Sequence, residues 1–516
     1  MASLFEPRHS ALSSDDDSSK LLNLSSFLGP TKIPFSLLIR GSSSRNRWNS
    51  QGNIDTVDAG AVGLPSDLAN VLSSQRSLAS AMHRLPHAYI KISNKLYEVD
   101  RDIANLARRR HTPDDRARWR NWALIVTYRS IPWKYLETVS DDPTLVFPHL
   151  SHTLRACSDG FPGLSDAVKI DLGLTLVEAS RFSDMTWKQF TIEQAKRVSV
   201  GVESPYLASR IALAECVLNR IEGSMLRSAA NLAHRSSEET TPDERMHSIA
   251  GQHAIQRALN FMQIEALKSA EEVLETWCPL SETPSPMEQA VDFRKAIVQG
   301  RSLRQRGEIH ACIIKLNAGR NLSEQPSDIV FDEDLRDLIC ELADALRELV
   351  LYTWAENILR SEIERREESY IPVIGKGLLE LSLAEVLFAR GQYHNAEVLC
   401  LSALKEFPRL KYEKIRAYII LAKVYHVISN FDKAHSYWTM ALEVINRFPS
   451  ESSRTSRIIL RSLCDAAGND ELREQYQQQL ARLGDEEEAG DVKIWIGGMP
   501  GWEKYLENRE SKAQAN

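Results

Sequence analysis

Several absences narrow what this chain can be. None of its 516 residues belongs to an apolar run near the ~18 needed to cross a membrane, so no membrane span is expected. No basic start followed by an apolar run opens the sequence, so no secretory signal is expected either. Paired cysteines are missing. Cys157, Cys216, Cys278, Cys312, Cys340, Cys400 and Cys464 lie far apart, with no Cys-x-x-Cys among them. An odd, scattered set reads as reduced thiols in a reducing compartment, so an intracellular protein, cytoplasmic or nuclear, is expected. Excess positive charge is missing as well. With 63 Lys and Arg against 70 Asp and Glu, the net charge is −7, which gives no global attraction to nucleic acid or an anionic membrane.

Catalytic signatures are absent too. No His-Glu-x-x-His or Gly-x-Ser-x-Gly occurs. Gly375-Lys376-Gly377 has the lysine of a phosphate-binding loop without its upstream glycine or a following Ser or Thr. His149 and His152 lie three apart with no third ligand nearby, and His247 and His253 lie six apart. A non-enzymatic chain with no metal site and no cofactor is expected.

What is present is repetition. Leu383, Ala384, Leu387, Gly391, Tyr393, Ala396, Ala403 and Leu404 are answered by Leu421, Ala422, Tyr425, Ser429, Phe431, Ala434, Ala441 and Leu442, each 38 residues on. Weaker copies precede them: Leu342, Ala343, Leu346, Tyr352 and Ala355, and before those Gly300, Leu303, Gly307, Ile309 and Cys312. The units begin about 43, 41 and 38 residues apart. Self-similarity at such a period marks stacked helix pairs, each unable to bury its apolar face alone.

These residues resemble the tetratricopeptide repeat, most clearly over residues 377–446. That family sets small residues where helix A crosses helix B, an aromatic after the turn, and often a closing proline. Ala384, Gly391, Tyr393, Ala396, Ala403 and Pro408 stand at those positions. The second copy has Ser429 at the turn and Asn446 where the proline would stand, with Tyr418 and Trp438 at positions that favour aromatics. The period exceeds the family's ~34 residues, so the likeness is to a tetratricopeptide-like array over residues 286–448.

The resemblance implies an all-α solenoid of antiparallel helix pairs with a concave face lined by helix A. Its lining would be Leu381, Glu385 and Phe388 in one unit and Ile419, Lys423 and His426 in the next. Binding of a C-terminal carboxylate would call for asparagine and lysine there, and Glu385 departs from that. The mixed apolar and charged lining suits a protein or peptide partner, helical or extended.

Elsewhere, serine-rich residues 1–64 are expected to be a disordered tail, with a short extended docking patch at residues 33–39 followed by Arg40, Arg45, Arg47 and Trp48. Residues 65–285 read as a helical N-terminal region, with helices over residues 90–106, 114–128, 164–180, 187–198, 206–221, 225–234 and 246–277. Pro279, Pro284 and Pro286 mark a boundary before the repeats. Residues 449–516 read as capping helices and a C-terminal tail, in which Trp495, Ile496, Met499 and Trp502 are apolar enough to fold back on the last helices.

One basic cluster stands out: Arg108, Arg109, Arg110, Arg116, Arg118 and Arg120, with Trp119 and Trp122 interleaved. Such a cluster contacts phosphates or serves nuclear import. The leading expectation is a non-enzymatic scaffold or adaptor for protein–protein interaction. The alternative is a nuclear regulatory factor contacting nucleic acid or the import machinery through these arginines.

Overall fold

The structure, a computed structural model, describes residues 16–515 apart from residues 30, 140–142, 158–159, 162, 183, 223, 225–226, 229–243, 325–327, 369–374, 407–410, 447–452, 484–491 and 495. Most of the expected helix over residues 225–234 and all of residues 1–15 lie outside the described residues. The chain forms two compact units, Met1–Leu218 and Asn219–Asn516. It is all-α in its bulk, with helices packed in adjacent pairs.

In the first unit the serine-rich segment is folded from Asp17 onward, which corrects the expected disorder for residues 16–64. Helix α1 (Asp17–Phe27) buries Leu21, Leu22, Leu24 and Phe27. Two of its buried serines are satisfied inside the fold: Ser25 Oγ donates to the Leu21 carbonyl over 2.6 Å and lies 2.7 Å from the Tyr97 hydroxyl, and Ser26 Oγ donates to the Asn23 carbonyl over 2.7 Å. Strand β1 (Ile33–Pro34), helix α2 (Phe35–Ser42) and the hairpin β2 (Arg45–Trp48) and β3 (Ile54–Val57) follow. The expected docking patch is therefore core. Leu37 and Leu38 are fully buried, and Arg40 and Arg45 pair with Glu137 while Arg47 pairs with Asp171.

Helices α3 (Ser66–Leu72) and α4 (Gln75–His83) lead to β4 (Ile90–Ser93) and β5 (Leu96–Val99). These strands replace the first half of the helix expected over residues 90–106. Asn94, at φ 57°, supplies the left-handed turn of a tight hairpin, a conformation that asparagine tolerates. The second strand is central, in the antiparallel order β1-β5-β4 with Ile33 opposite Tyr97. Asp100 caps α5 (Arg101–Arg110), and Thr112 with Pro113 opens α6 (Pro113–Arg129). Helices α7 (Phe147–Ala156), α8 (Asp166–Ala179) and α9 (Met185–Ser199) follow, and the first unit ends within α10 (Pro205–Glu222).

The second unit is a run of helix pairs: α11 (Glu244–Gln263) with α12 (Leu267–Glu275), α13 (Pro286–Gln305) with α14 (Ile309–Glu324), α15 (Asp332–Glu348) with α16 (Tyr352–Glu368), α17 (Lys376–Ala389) with α18 (Tyr393–Glu406), and α19 (Lys411–Val427) with α20 (Phe431–Ile445). Ser285 opens α13 with a capping box to Glu288 and Pro286 stands in the first turn, but no compact unit starts there. Helix α11 packs on α13. A Cβ at Gly251 would lie 2.5 Å from Trp277 and 2.7 Å from Val291, so only glycine lets these helices approach.

Each pair turns on one residue with left-handed backbone: Glu265, Gly307, Val350, Gly391 and Ser429. The last four repeat the 43-, 41- and 38-residue spacing of the sequence units. At each turn two main-chain bonds close the first helix. Gly391 N donates to Phe388 O and Gln392 N to Leu387 O, both over 2.9 Å, and Ser429 and Asn430 repeat the pattern on His426 O and Tyr425 O. This satisfies the orphan carbonyls at the helix end. Ser429 thus adopts the backbone that Gly391 adopts, and the turn survives the loss of glycine. Ala384, Ala396, Ala403, Ala422, Ala434 and Ala441 are all fully buried, as close helix crossing requires.

Helices α21 (Ser453–Asp465) and α22 (Asp470–Arg482) form the terminal pair, and α22 has no buried residue, as a polar cap should. Helix α23 (Met499–Ala515) follows. No helix among the described residues is long and apolar enough to cross a membrane.

Candidate functional site

The inner face of the second unit is built from equivalent positions on the first helix of each pair. Six residues before the left-handed turn stand Arg301, Asp344, Glu385 and Lys423; three before it stand Arg304, Arg347, Phe388 and His426. The charged members form a buried ladder. Arg304 and Arg301 hold Glu341, and Arg347 holds Asp344 (3.1 Å) and Glu385. Arg416 reaches Glu385 at 3.0 Å and Asp344 at 3.1 Å.

Burial by itself would raise the Glu385 carboxyl, but Arg416 and Arg347 outweigh it and hold the group down to about 2. Asp344 goes the other way: burial, helped by the like charge of Glu385, raises it against the pull of the same arginines. Burial also pushes the Lys423 ammonium down to about 8, with Glu385 opposing.

This face is covered by the chain's own C-terminal segment. The amides of Lys493 and Ile494 both donate to the carbonyl of Gln305, at the end of α13, over 2.7 and 2.9 Å. Further along, Gly498 N donates to Glu348 Oε1 over 2.7 Å and Lys423 Nζ donates to Gly498 O over 3.1 Å. Gly497 lies against Arg347, where a Cβ would come within 1.8 Å of Nη2.

The aromatic anchor is Trp502, 4% exposed. Its ring meets Phe388 and His426 edge-on at 6.3 and 5.2 Å, lies 5.8 Å from Trp438, and stacks on Tyr505 at 4.6 Å. Its Nε1 donates to Ser462 Oγ over 2.9 Å. Acidic residues of α23 then meet a basic edge of α21: Glu503 pairs with Arg454 and Arg461, and Glu510 with Arg461. Glu503 is half-buried in its pairs, whereas the Arg461–Glu510 pair is exposed and adds little.

Four of the six expected groove residues therefore belong to one arrangement. Lys423, Phe388 and His426 touch the segment, and Glu385 anchors the arginine beneath it. Leu381 and Ile419, 0% and 1% exposed, are core residues packed between helices and not lining. Sequence reading missed Gln305, Arg347 and Glu348. Arg347 stands three residues before its turn, as Phe388 and His426 do, and that equivalence was the signal that could have found it; Gln305 and Glu348 stand two before theirs, matched by Ala389 and Val427 in the clearer units, where nothing marks a lining position.

The basic cluster lies in the first unit. Arg108, Arg109, Arg116 and Arg120 line a single cavity with His152, whereas Arg110 is exposed outside it and Arg118 pairs with Asp115. His149 bonds the carbonyls of Leu28 and Lys32 and is a buried core histidine.

No protein-family model matches this chain, and no curated protein matches it. Among solved structures it is similar to a signal transduction ATPase with numerous domains that carries a tetratricopeptide repeat sensor, from Pyrococcus horikoshii. Identity is 12% and the TM-score 0.35, over 90% of this chain and 56% of that one. The chain thus spans about half the length of that protein, and a likeness at this level brings no function with it.

Proposed function

We propose that the second unit is a non-enzymatic scaffold for protein–protein interaction, whose inner face takes a chain segment with a glycine pair followed by a tryptophan. Lys493, Ile494 and residues 497–502 occupy that face in cis, and a partner presenting the same chemistry exchanges with them. The observation that carries this reading is the reception of Gly498 on both sides, its N–H by Glu348 and its carbonyl by Lys423. Bonds to main-chain groups give grip without regard to sequence, while one pocketed aromatic gives choice. A helical-repeat stack suits this because adjacent units offer the same positions along an extended surface.

The test uses the full chain carrying Trp502→Ala and a fluorescent peptide of residues 492–515. Removing a buried tryptophan costs roughly 3–5 kcal/mol of packing, enough to vacate the face while the helix pairs remain folded. The peptide is expected to bind the variant and not the parent chain, and a Trp502→Ala peptide to bind neither. A folded variant that ignores the peptide overturns the reading.

A further inference from the structure

We propose that the arginine-lined cavity of the first unit binds a small phosphorylated molecule carrying two or more phosphate groups. The cavity measures about 320 Å³ and draws its walls from three helices. Asn105, Arg108 and Arg109 come from α5, Arg116 and Arg120 from α6, and His152 from α7, over an apolar base of Phe27 and Ala156. Four guanidiniums in one small hollow repel each other, and such an arrangement ordinarily carries its own carboxylates. Here no carboxylate pairs with Arg108, Arg109, Arg116 or Arg120 among the described residues.

The charge is also held in place. Arg108 donates to the carbonyl of Ser26 over 2.5 Å and to Asn105 Oδ1 over 2.6 Å. Both acceptors are neutral, so they orient the guanidinium without cancelling it. Arg116 Nε is buried and bonds nothing among the described residues. Arg101 acts on Arg108 and Arg155 on His152, so the surroundings add positive potential. Burial first, and then Arg108, His149 and Arg155, lower the imidazolium tendency of His152, which leaves a neutral ring able to donate one hydrogen bond.

Planar guanidiniums converging from several directions match the tetrahedral oxygens of phosphate, two bonds per arginine. The size decides between ligands. A volume near the lower end of ordinary ligand sites admits a compact polyphosphate or a polyphosphorylated ring, whereas a nucleic-acid backbone needs an open stripe. Arg110 and Arg118, which would extend a stripe, lie outside the cavity.

Isothermal titration calorimetry of the full chain with sodium tripolyphosphate and with inositol hexakisphosphate, at about 0.15 M salt, tests this. Saturable one-to-one binding is expected. Arg109→Ala with Arg120→Ala should weaken it tenfold or more, roughly the loss of two charge-assisted contacts. Arg110→Ala with Arg118→Ala should leave it within about twofold, since their charges are solvent-screened. Should the alanine pair fail to fold, Arg109→Lys with Arg120→Lys keeps the charge and still loses the bidentate geometry, so a clear weakening is still expected.

No binding at millimolar probe overturns the proposal, and so does equal weakening by the two variant pairs. Tighter binding of a short single-stranded DNA, or of vesicles bearing phosphorylated inositol lipids, than of either soluble probe also overturns it, in favour of a macromolecular or membrane source of phosphate. The result is independent of the groove in the second unit.

Discussion

Lys423 Nζ lies 3.1 Å from the carbonyl oxygen of Gly498 and donates to it, although the two residues are 75 apart in sequence. The ammonium is buried, and Glu385 one repeat earlier keeps it company without pairing to it directly. A lysine in such a place costs free energy unless something accepts its hydrogen bonds. The carbonyl of Gly498 is that acceptor. The inner face is thus built to receive main chain, and in this molecule the received chain is its own.

Gly497→Ala should release the segment without harming the repeats. The added Cβ would meet Arg347 Nη2 at 1.8 Å, and Arg347 is held by Asp344, Glu385 and Glu348 and cannot swing aside. Faster protease cleavage within residues 492–515, with helical circular dichroism otherwise kept, is the expected outcome. Gly501→Ala is the control. Its Cβ meets nothing within 4 Å and its place is helical, so it should be neutral or slightly stabilising.

Acid should weaken the second unit through Glu385. Its carboxyl, ordinarily near 4.5, lies near 2 in the folded chain, so the folded state binds fewer protons than the unfolded one in between. The stability it supplies is complete above pH ~4.5 and is lost as pH falls toward 2. Glu341 behaves alike, held down by Arg301 and Arg304 against its burial, while the raised Asp344 works in the opposite sense. Glu385→Gln should flatten the fall in melting temperature between pH 5 and about 2.5; an unaltered slope would assign that loss to other groups.

Ala434→Leu should destabilise the second unit. Ala434 is fully buried where α20 crosses α19, and overpacking costs about 1–3 kcal/mol. A unit of this size should melt lower by roughly 2–4 °C for each kcal/mol. An unchanged melting temperature would mean that the crossing has slack that the structure does not suggest.

Much of the second unit was legible because its signals are local. An alanine at a helix crossing and an apolar residue every three or four positions need only their own pair to make sense, so the register of residues 383–442 could be read directly. Val350 hid one of the turns, since it is not glycine, whereas Ser429 was legible at its turn through its match to Gly391 38 residues earlier. Two main-chain bonds hold each in the left-handed region.

In the first unit, local reading failed at residues 16–64 and 90–99. Serine content suggested disorder, and the apolar period suggested a helix over residues 90–106. Contacts far along the chain overruled both: Tyr97 lies against Ser25, and Ile33 is paired with Tyr97 across a sheet.

What the sequence determined by itself, then, was the helical period, the small residues at the crossings and the polar closing pair. Each follows from side-chain size and spacing along one helix or between neighbours. Only the tertiary structure decided what covers the inner face, and which arginines of a six-member cluster share a cavity. Those outcomes depend on residues tens to more than a hundred positions apart meeting in space, and no periodicity records such meetings.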